Sequence, residues 1–430
     1  MANCSDQPIA DLVGIGFGPS NLALAIACEE MRPADRLEPT PEVAFFEKQT
    51  AFGWHRGMLM EDATMQVSFL KDLATMRDPQ SRYTFTAYLH AKNRMTEFIN
   101  SKTLFPLRVE FHDYLEWAAR PFAAQVSYNH DVTAIDPVLE DGVVTAFDVT
   151  ARSPVTGAAV VRRTRNVVLG TGLAPYLPPE VPVSERIWHS SELIRRTRGI
   201  TPPSPGRVVV VGAGQSAAEA TEYLHRTFLD AEICTVFSRY GYSVADDSPF
   251  TNSIFDPQAV DEFFVAPREV KQLLLARHSN TNYSVVDLAL TQELYRRSYQ
   301  EKVVGRERLR TLHTSRVTGI REQGGKVQLD IEGLSTGSVR TIDADAVVYA
   351  TGYQPTDPLP LLGSLASECK LDDSGRLLLE RDYRVITSDA VQGGIYLHGG
   401  GAEHTHGLSA GLLSNTAVRS GEIAHSILRR

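Results

Sequence analysis

Cysteine is scarce: the 430 residues hold four, Cys4, Cys28, Cys234 and Cys369, and no two stand as C-x-x-C. A redox-active dithiol or a zinc knuckle needs that spacing, so neither is expected, and sparse cysteine fits a reducing compartment. Net positive charge is also missing, since 52 acidic against 43 basic side chains leave −9. That balance argues against a broad surface for nucleic acid or anionic membrane, though it leaves room for a local basic pocket. No apolar run has the roughly 20 residues of a membrane span. The most apolar early stretch, from Ile9 to Cys28, lacks a basic leader and is broken by Gly14, Gly16, Gly18 and Pro19. It reads as a buried strand and helix rather than a targeting segment. No solenoid repeat or low-complexity tract is visible. A cytoplasmic globular enzyme is the resulting expectation, and the length implies two or three packed subdomains.

Two glycine-rich units stand out. In the first, Leu12 to Ile15 form a short apolar run, Gly14, Gly16 and Gly18 a turn, and the residues from Ser20 an Ala- and Leu-rich helix. Glycines let a backbone approach a pyrophosphate, and the helix start offers free N–H groups and partial positive charge. VAFFEK follows as a second strand whose Glu47 is placed to accept from a ribose. Glu47 lies further from Gly18 than the roughly 20 residues usual for such an acid, so an insertion is implied. The second unit, RVVVVGAGQSAAEATEYLH, carries Gly212, Gly214, Gln215, Ser216 and Ala217 after a proline-rich joint ending at Gly206. Its next strand ends in Ser238-Arg239 rather than an acid. An arginine there neutralises a ribose phosphate, which points to NADP over NAD. Together the units suggest a flavin reduced by a nicotinamide. GTG at 170–172 and ATGY at 350–353 suit crossovers between domains.

Between the units, Trp54 to Pro79 has no clear period, and such stretches in compact domains are often functional. FHDYLEWAA (111–119), Leu288 to Tyr299 and the tail after His404 read as helical. Lys71 alone would be a surface lysine, Asn252 a turn cap after Pro249, and Asn282 a loop residue. His55 beside Trp54 is a candidate base or a packed loop histidine. His404 and His406 have metal-like spacing without further ligands, so no metal is expected.

With these motifs in view, the chain resembles the flavin-dependent N-hydroxylating monooxygenases of siderophore and hydroxamate biosynthesis, in their L-ornithine branch. The resemblance is carried by GIGFGPSNLALA, WHRGMLMEDATMQVSFLKDLATMRDP, FHDYLEW, GAGQSAAE, DDSPFTNSIFDP, TNYSVVD, ATGY and HGLSAGLLS, which span nearly the whole chain. It implies an α/β fold of two Rossmann-like domains, for FAD and NADPH, with a small, mostly helical substrate region. The implied boundaries are 1–183 and 346–430 for the FAD domain, 184–250 and 300–345 for the NADPH domain, and 251–299 for the substrate region.

The resemblance also implies residue roles. Lys71, Asn252, Asn282 and Ser414 would hold the amino acid. Gly14, Gly16, Gly18, Pro19, Glu47, Trp54, His55, Gln66, Val132, Gly411, Leu412 and Leu413 would hold FAD. Gly212, Gly214, Gln215, Ser216, Ala217, Asn282, Tyr283 and Ser284 would line NADPH. Counted from Asn252, the family's nucleotide arginine falls at Ser238; a shift of one residue makes Arg239 its equivalent. A flavin hydroperoxide would carry the chemistry, so no catalytic side chain is expected. The implied partners are L-ornithine and dioxygen, with no nucleic acid and no membrane, in a homotetramer or homodimer. L-Lysine hydroxylation is the nearest alternative. A flavin disulfide reductase and a non-enzymatic nucleotide-binding protein are further off, the former for want of C-x-x-C.

Overall fold

The computed structural model describes residues 9–31, 41–200 and 205–429. Cys4, most of the polar loop expected before Val43, and residues 201–204 of the proline-rich joint lie outside them.

Two five-stranded parallel sheets organise the chain. The first has the order Gly394–Leu397, Asn166–Leu169, Leu12–Ile15, Val43–Glu47, Val126–Tyr128. The second has the order Leu309–Leu312, Glu232–Val236, Arg207–Val211, Ala346–Tyr349, Ile187–His189. Their central strands are unbroken apolar runs because parallel strands are covered on both faces. Leu12–Ile15 and Ala346–Tyr349 are buried at every residue. Each sheet is followed around by a three-stranded antiparallel meander, 131–164 on the first and 315–344 on the second. The sequence reading did not foresee the meanders, whose strands are half-exposed and carry many charged residues.

The helix Pro19–Glu30 starts with proline at its first position, where a missing N–H costs nothing. Its residues Asn21 to Cys28 are all buried, and the C-terminal helix Thr416–Leu428 packs along it. The corresponding helix of the second unit, Gln215–Thr227, buries Ala217 to Thr221, Leu224 and His225 and is exposed only at Arg226 and Thr227. The helix Leu288–Val304 packs on it.

Two expected boundaries shift. The strand Ala346–Tyr349 pairs with Arg207–Val211 in the second sheet, so a cut at 346 would remove a core strand from that sheet. A cut at 299 would divide the helix Leu288–Val304. Within the expected region 251–299 and at its start lie the helices Pro249–Asn252, Pro257–Val265, Arg268–His278 and the first part of Leu288–Val304. The helix expected to begin at Phe111 begins at Arg108. Residues 54–79 contain one short 3-10 turn, Arg56–Met58, and otherwise turns and bends. The two Thr-Gly crossovers lie side by side: Leu173–Pro175 pairs antiparallel with Tyr353–Pro355. Among the described residues no helix is long and apolar enough to cross a membrane.

Candidate active site

Open α/β sheets bind ligands beyond the carboxyl ends of their strands, and the first glycine turn lies there. Gly16 has φ +81°, and a Cβ on it would lie 2.5 Å from the Gly170 carbonyl oxygen. A Cβ on Gly18 would meet nothing within 4 Å. The turn is thus tight on its inner side and vacant on its outer side. The helix beginning at Pro19 has no side-chain cap and no acid in its first turn, so its free N–H groups and dipole face that open cradle. A dinucleotide pyrophosphate fits these features. Glu47 is buried at the end of the adjacent strand and accepts from the N–H groups of Phe17 (2.6 Å) and Gln49 (2.8 Å). Those bonds hold the carboxylate beside the turn. Val132 is buried just past the neighbouring strand, where His130 N–H donates to the Glu47 carbonyl.

The second turn repeats the arrangement. Gly212 has φ +140°, and its Cβ would strike the Ala350 carbonyl oxygen at 2.4 Å. Gly214 precedes an uncapped helix with no acid in its first turn. Gln215, Ser216 and Ala217 open that helix. The TNYS loop folds over this turn: Ser284, at φ +56°, brings its Cα within 3.5 Å of a Cβ on Gly214. Arg239 donates from Nη1 to the Ser284 carbonyl at 2.8 Å and to Ser243 Oγ at 3.3 Å. Arg239 is exposed and reaches the turn, whereas Ser238 makes no such bond. Gly212, Gly214, Arg239 and the TNYS loop therefore form one surface.

The irregular stretch is fixed by polar anchors. Asp72 is buried and accepts from the N–H groups of Ala74, Thr75 and Phe85 and from Thr75 Oγ1. Burial raises its pKa, against the pull of those bonds. Leu73 N–H donates to the Tyr114 hydroxyl, which itself donates to the Tyr83 carbonyl. Tyr114 sits in a ring cluster with Phe85 and Phe111 at centroid spacings of 5.2–5.8 Å. Aromatic pairs of this kind contribute about 0.5–1.5 kcal/mol each beyond their buried area. The backbone on either side of Lys71 is thereby held rigid while its side chain stays half-exposed.

Lys71 Nζ lies 5.7 Å from the Phe255 ring centroid. Phe255 belongs to the turn Ser253–Phe255 directly after Asn252, and this turn packs on Leu408–Gly411. Asn252 donates from Nδ2 to the Asp247 carbonyl at 2.8 Å, which leaves its Oδ1 to accept. Asp246 links this segment to the TNYS loop, accepting from Thr251 Oγ1 and donating its N–H to the Asn280 carbonyl. Asn282 is half-buried in that loop, and Tyr283 beside it donates to the Glu403 carboxylate of the C-terminal region. Burial raises the pKa of both Tyr283 and Glu403. Ser414 is buried, Gly411 exposed, and Leu412 and Leu413 half-buried. A Cβ on Gly411 would contact Gly400 Cα. Contacts thus link Lys71, the Asn252 segment, the Asn282 loop and the region 403–411, with Gln66 exposed on the same loop as Lys71.

Trp54 and His55 lie where the domains meet. The rings of His55 and Trp54 are 4.6 Å apart, and Tyr353 from the second crossover stands edge-on to both His55 and His189. His55 occupies the left-handed region at φ 49°, ψ 32°, a strained conformation for a residue with a Cβ. Its ring is reachable through the cleft, but surrounding protein and the positive Arg108 push its pKa down to about 4. It is neutral at neutral pH and has no carboxylate to orient it as a base. His404 and His406 direct their Nε2 atoms to separate backbone carbonyls, of Leu377 and Arg381.

The family model for L-lysine 6-monooxygenase/L-ornithine 5-monooxygenase matches residues 8–355. The chain belongs to this family. A curated member, the L-ornithine N(5)-monooxygenase of Burkholderia cepacia, is 40% identical over 408 residues, covering 93% of this chain and 90% of the relative. Among solved structures, the ornithine N-hydroxylase of Kutzneria sp. 744 with reduced FAD, NADP+ and L-ornithine matches with a TM-score of 0.94 and 45% identity. That match covers 98% of this chain and 100% of the other. The ornithine hydroxylase of Pseudomonas aeruginosa matches with a TM-score of 0.91 and 34% identity over 98% and 99% of the two chains. Like the rest of the family, this member is a flavin-dependent monooxygenase with two dinucleotide-binding domains.

Phe255, which lies under the Lys71 ammonium, and Arg108 and Glu219, which pair with each other, were not singled out from the sequence. Phe255 stood inside SPFTNSIF but carried no charge to mark it. Arg108 and Glu219 are distant in sequence, and nothing local announces that they meet.

Proposed function

We propose that this monooxygenase hydroxylates the side-chain amine of L-ornithine, giving hydroxyornithine for a siderophore or related peptide. The balance is amine plus dioxygen plus NADPH plus a proton to hydroxylamine plus water plus NADP+. The observation that supports this reading is two glycine turns before uncapped helices, together with the Lys71 ammonium over Phe255 next to Asn252. The names of the relatives, ornithine hydroxylases, support ornithine over lysine.

FAD, when bound, supplies the redox chemistry by accepting hydride and activating dioxygen. The first cradle, with Gly14, Gly16, Gly18, Pro19 and Glu47, would hold it, and Trp54, His55, Gln66, Val132 and Gly411 to Leu413 would border it. The second cradle, with Gly212, Gly214, Gln215, Ser216, Ala217, Arg239 and Tyr283, would hold NADPH. An amino acid's zwitterionic end needs a cation and neutral partners. Lys71 supplies the cation. Asn252 Oδ1 accepts from the α-ammonium, and Asn282 and Ser414 complete the cradle. The reacting amine has an ordinary pKa near about 10.4, and only its neutral form attacks. Desolvation beside a bound flavin would lower that pKa, so the chemistry would not require a dedicated base. The exposed apolar row Tyr295, Tyr299 and Val303, four residues apart on one helix, supports a homo-oligomer, a tetramer or a dimer. A cytoplasmic site of action fits Cys28, Cys234 and Cys369, which are buried and form no disulfide among the described residues.

Product analysis with NADPH, FAD and a panel of L-ornithine, L-lysine and their D-forms tests the reading. Hydroxylamine from L-ornithine alone is expected; equal product from L-lysine would replace it with the alternative. Lys71→Ala is expected to lower kcat/KM about tenfold to a hundredfold, chiefly through KM, as loss of a charged hydrogen bond of about 1.5–3 kcal/mol requires. An unchanged KM would remove Lys71 from carboxylate capture.

A further inference from the structure

The two domains are joined by a buried ion pair for which neither cofactor nor substrate binding accounts. Arg108 opens the helix Arg108–Ala119 against the first sheet, and Glu219 lies on the helix that follows the second glycine turn. Both are more than nine-tenths buried. The guanidinium donates from Nη1 to Oε2 at 2.8 Å and from Nη2 to Oε1 at 2.7 Å. The same nitrogens also reach the carbonyls of Met58 at 3.1 Å and Thr64 at 3.3 Å. On the other side, Gln215 Nε2 donates to Glu219 Oε1 at 2.9 Å, and Gln215 Oε1 accepts from Asp287 N–H at 2.8 Å. One hydrogen-bonded chain therefore runs from the loop bearing Gln66 and Lys71, across the domain boundary, to the second glycine turn and the end of the TNYSVVD segment.

Two further features make this boundary a fitted one. A Cβ on Gly57 would lie 1.7 Å from the Ser191 carbonyl oxygen, so only glycine lets these backbones touch. Met58 and Met60, from the first domain's irregular stretch, are part of the core beneath the second sheet. A buried ion pair is costly to desolvate and is weak evidence of stability. A bidentate pair does fix distance and angle between its carriers. Hydride transfer depends on such geometry, since reacting atoms must come within about 3–3.5 Å, and a 1 Å misplacement costs about 10²-fold in rate.

We infer that Arg108 and Glu219 are positioning residues that hold the nicotinamide-binding domain at transfer distance from the flavin-binding domain, with Gln215 tying that geometry to the nucleotide turn. The inference rests on reading the second turn as the NADPH site. Bound NADPH would supply hydride and bound FAD would accept it; Arg108 and Glu219 would act on that transfer only by holding the two domains in place.

The test uses the FAD-loaded enzyme with Glu219→Gln, Arg108→Lys and the double variant. Anaerobic stopped-flow bleaching of the flavin by NADPH is read alongside NADP+ titration and small-angle scattering. Each single variant is expected to slow bleaching tenfold to a hundredfold, to leave NADP+ affinity at the wild-type value, and to broaden the scattering profile. The double variant is expected to be no slower than the singles, because both remove one coupling. Bleaching at the wild-type rate overturns the inference, and so does slowing with wild-type scattering and wild-type hydrogen exchange across Met58–Thr64. Should Glu219→Gln not retain FAD, Arg108→Lys decides, since it keeps the charge but loses the fork. Arg239→Ala separates this proposal from the reading beneath it. Unweakened NADP+ binding there sinks the nucleotide assignment. Weakened binding there, with wild-type bleaching in Glu219→Gln, sinks only the positioning role.

Discussion

The two glycine units share one plan and differ in how they are enclosed. Each has a central parallel strand, a positive-φ glycine against a neighbouring carbonyl, and an uncapped helix. The first helix is buried along eight consecutive residues and clamped by the C-terminal helix, and its acid, Glu47, is buried. The second helix is exposed only at its end, at Arg226 and Thr227, but its arginine, Arg239, stands exposed. A buried acid beside the turn suits a cofactor retained through turnover. An exposed arginine suits a nucleotide that must arrive, deliver hydride and leave. The same local geometry thus serves residence or exchange according to what the rest of the chain packs around it.

The sharpest break in this comparison should come at Gly16. A side chain there is forced into the left-handed region, at about 1–3 kcal/mol, and also collides with Gly170. Gly16→Val is expected to purify without bound flavin, read as the loss of visible absorbance per protein. A fully yellow variant would show that the cradle is not the FAD site. A smaller effect is expected on the open side. Arg239→Ala should raise the Kd for NADP+ about tenfold, as for a charge-assisted bond of about 1.5–3 kcal/mol, and leave flavin content alone. Matching losses for NADP+ and NAD+ would mean that Arg239 does not face the ribose phosphate.

The mildest difference should appear with pH. Beside the first sheet His398 and His406 are buried, and burial depresses both, His406 to about 3. Their folded pKa values lie below the unfolded value near 6.5, so the unfolded chain binds more protons between them. Stability is therefore full above about pH 6.5 and falls as pH drops toward 3, at up to about 1.4 kcal/mol per pH unit for each histidine. Flavin release and unfolding should track each other over that window. Acid-stable flavin binding down to pH 4 would contradict the assigned neutral forms.

Much of the fold was legible because it is written in local runs. VVVV before GAG and LVGI before GFG mark strands buried on both faces, and Pro19 marks a helix start. The meanders were not legible, since SRVTGIREQ and KVQLDIEG carry only half-apolar alternation amid charged residues. The site was legible where motifs are contiguous, as in TNYSVVD folding over Gly214. It was not where function depends on pairs far apart in sequence. Glu219 reads as a helix-surface acid until Arg108 is brought to it, 111 positions away. Asn252 shows a mixture, since its bond to Asp247 is local and visible in sequence terms. Its place beside Lys71 depends on Phe255 and could come only from the three-dimensional arrangement.

The ribbon formed by Leu173–Pro175 and Tyr353–Pro355 has a consequence for how such an enzyme can be rebuilt. The chain leaves the flavin half and returns to it at neighbouring points, about 5 Å apart as in any antiparallel pair. The segment from Tyr176 to Gly352 is covalently continuous with the rest through this one two-strand ribbon. Exchanging it between relatives would leave the flavin sheet uncut and ask the graft to satisfy the ribbon, the Arg108 and Gly57 contacts, the packing of Met58 and Met60, and the contacts of 253–283 with the C-terminal region. Nicotinamide preference and coupling efficiency could then be recombined as separable modules.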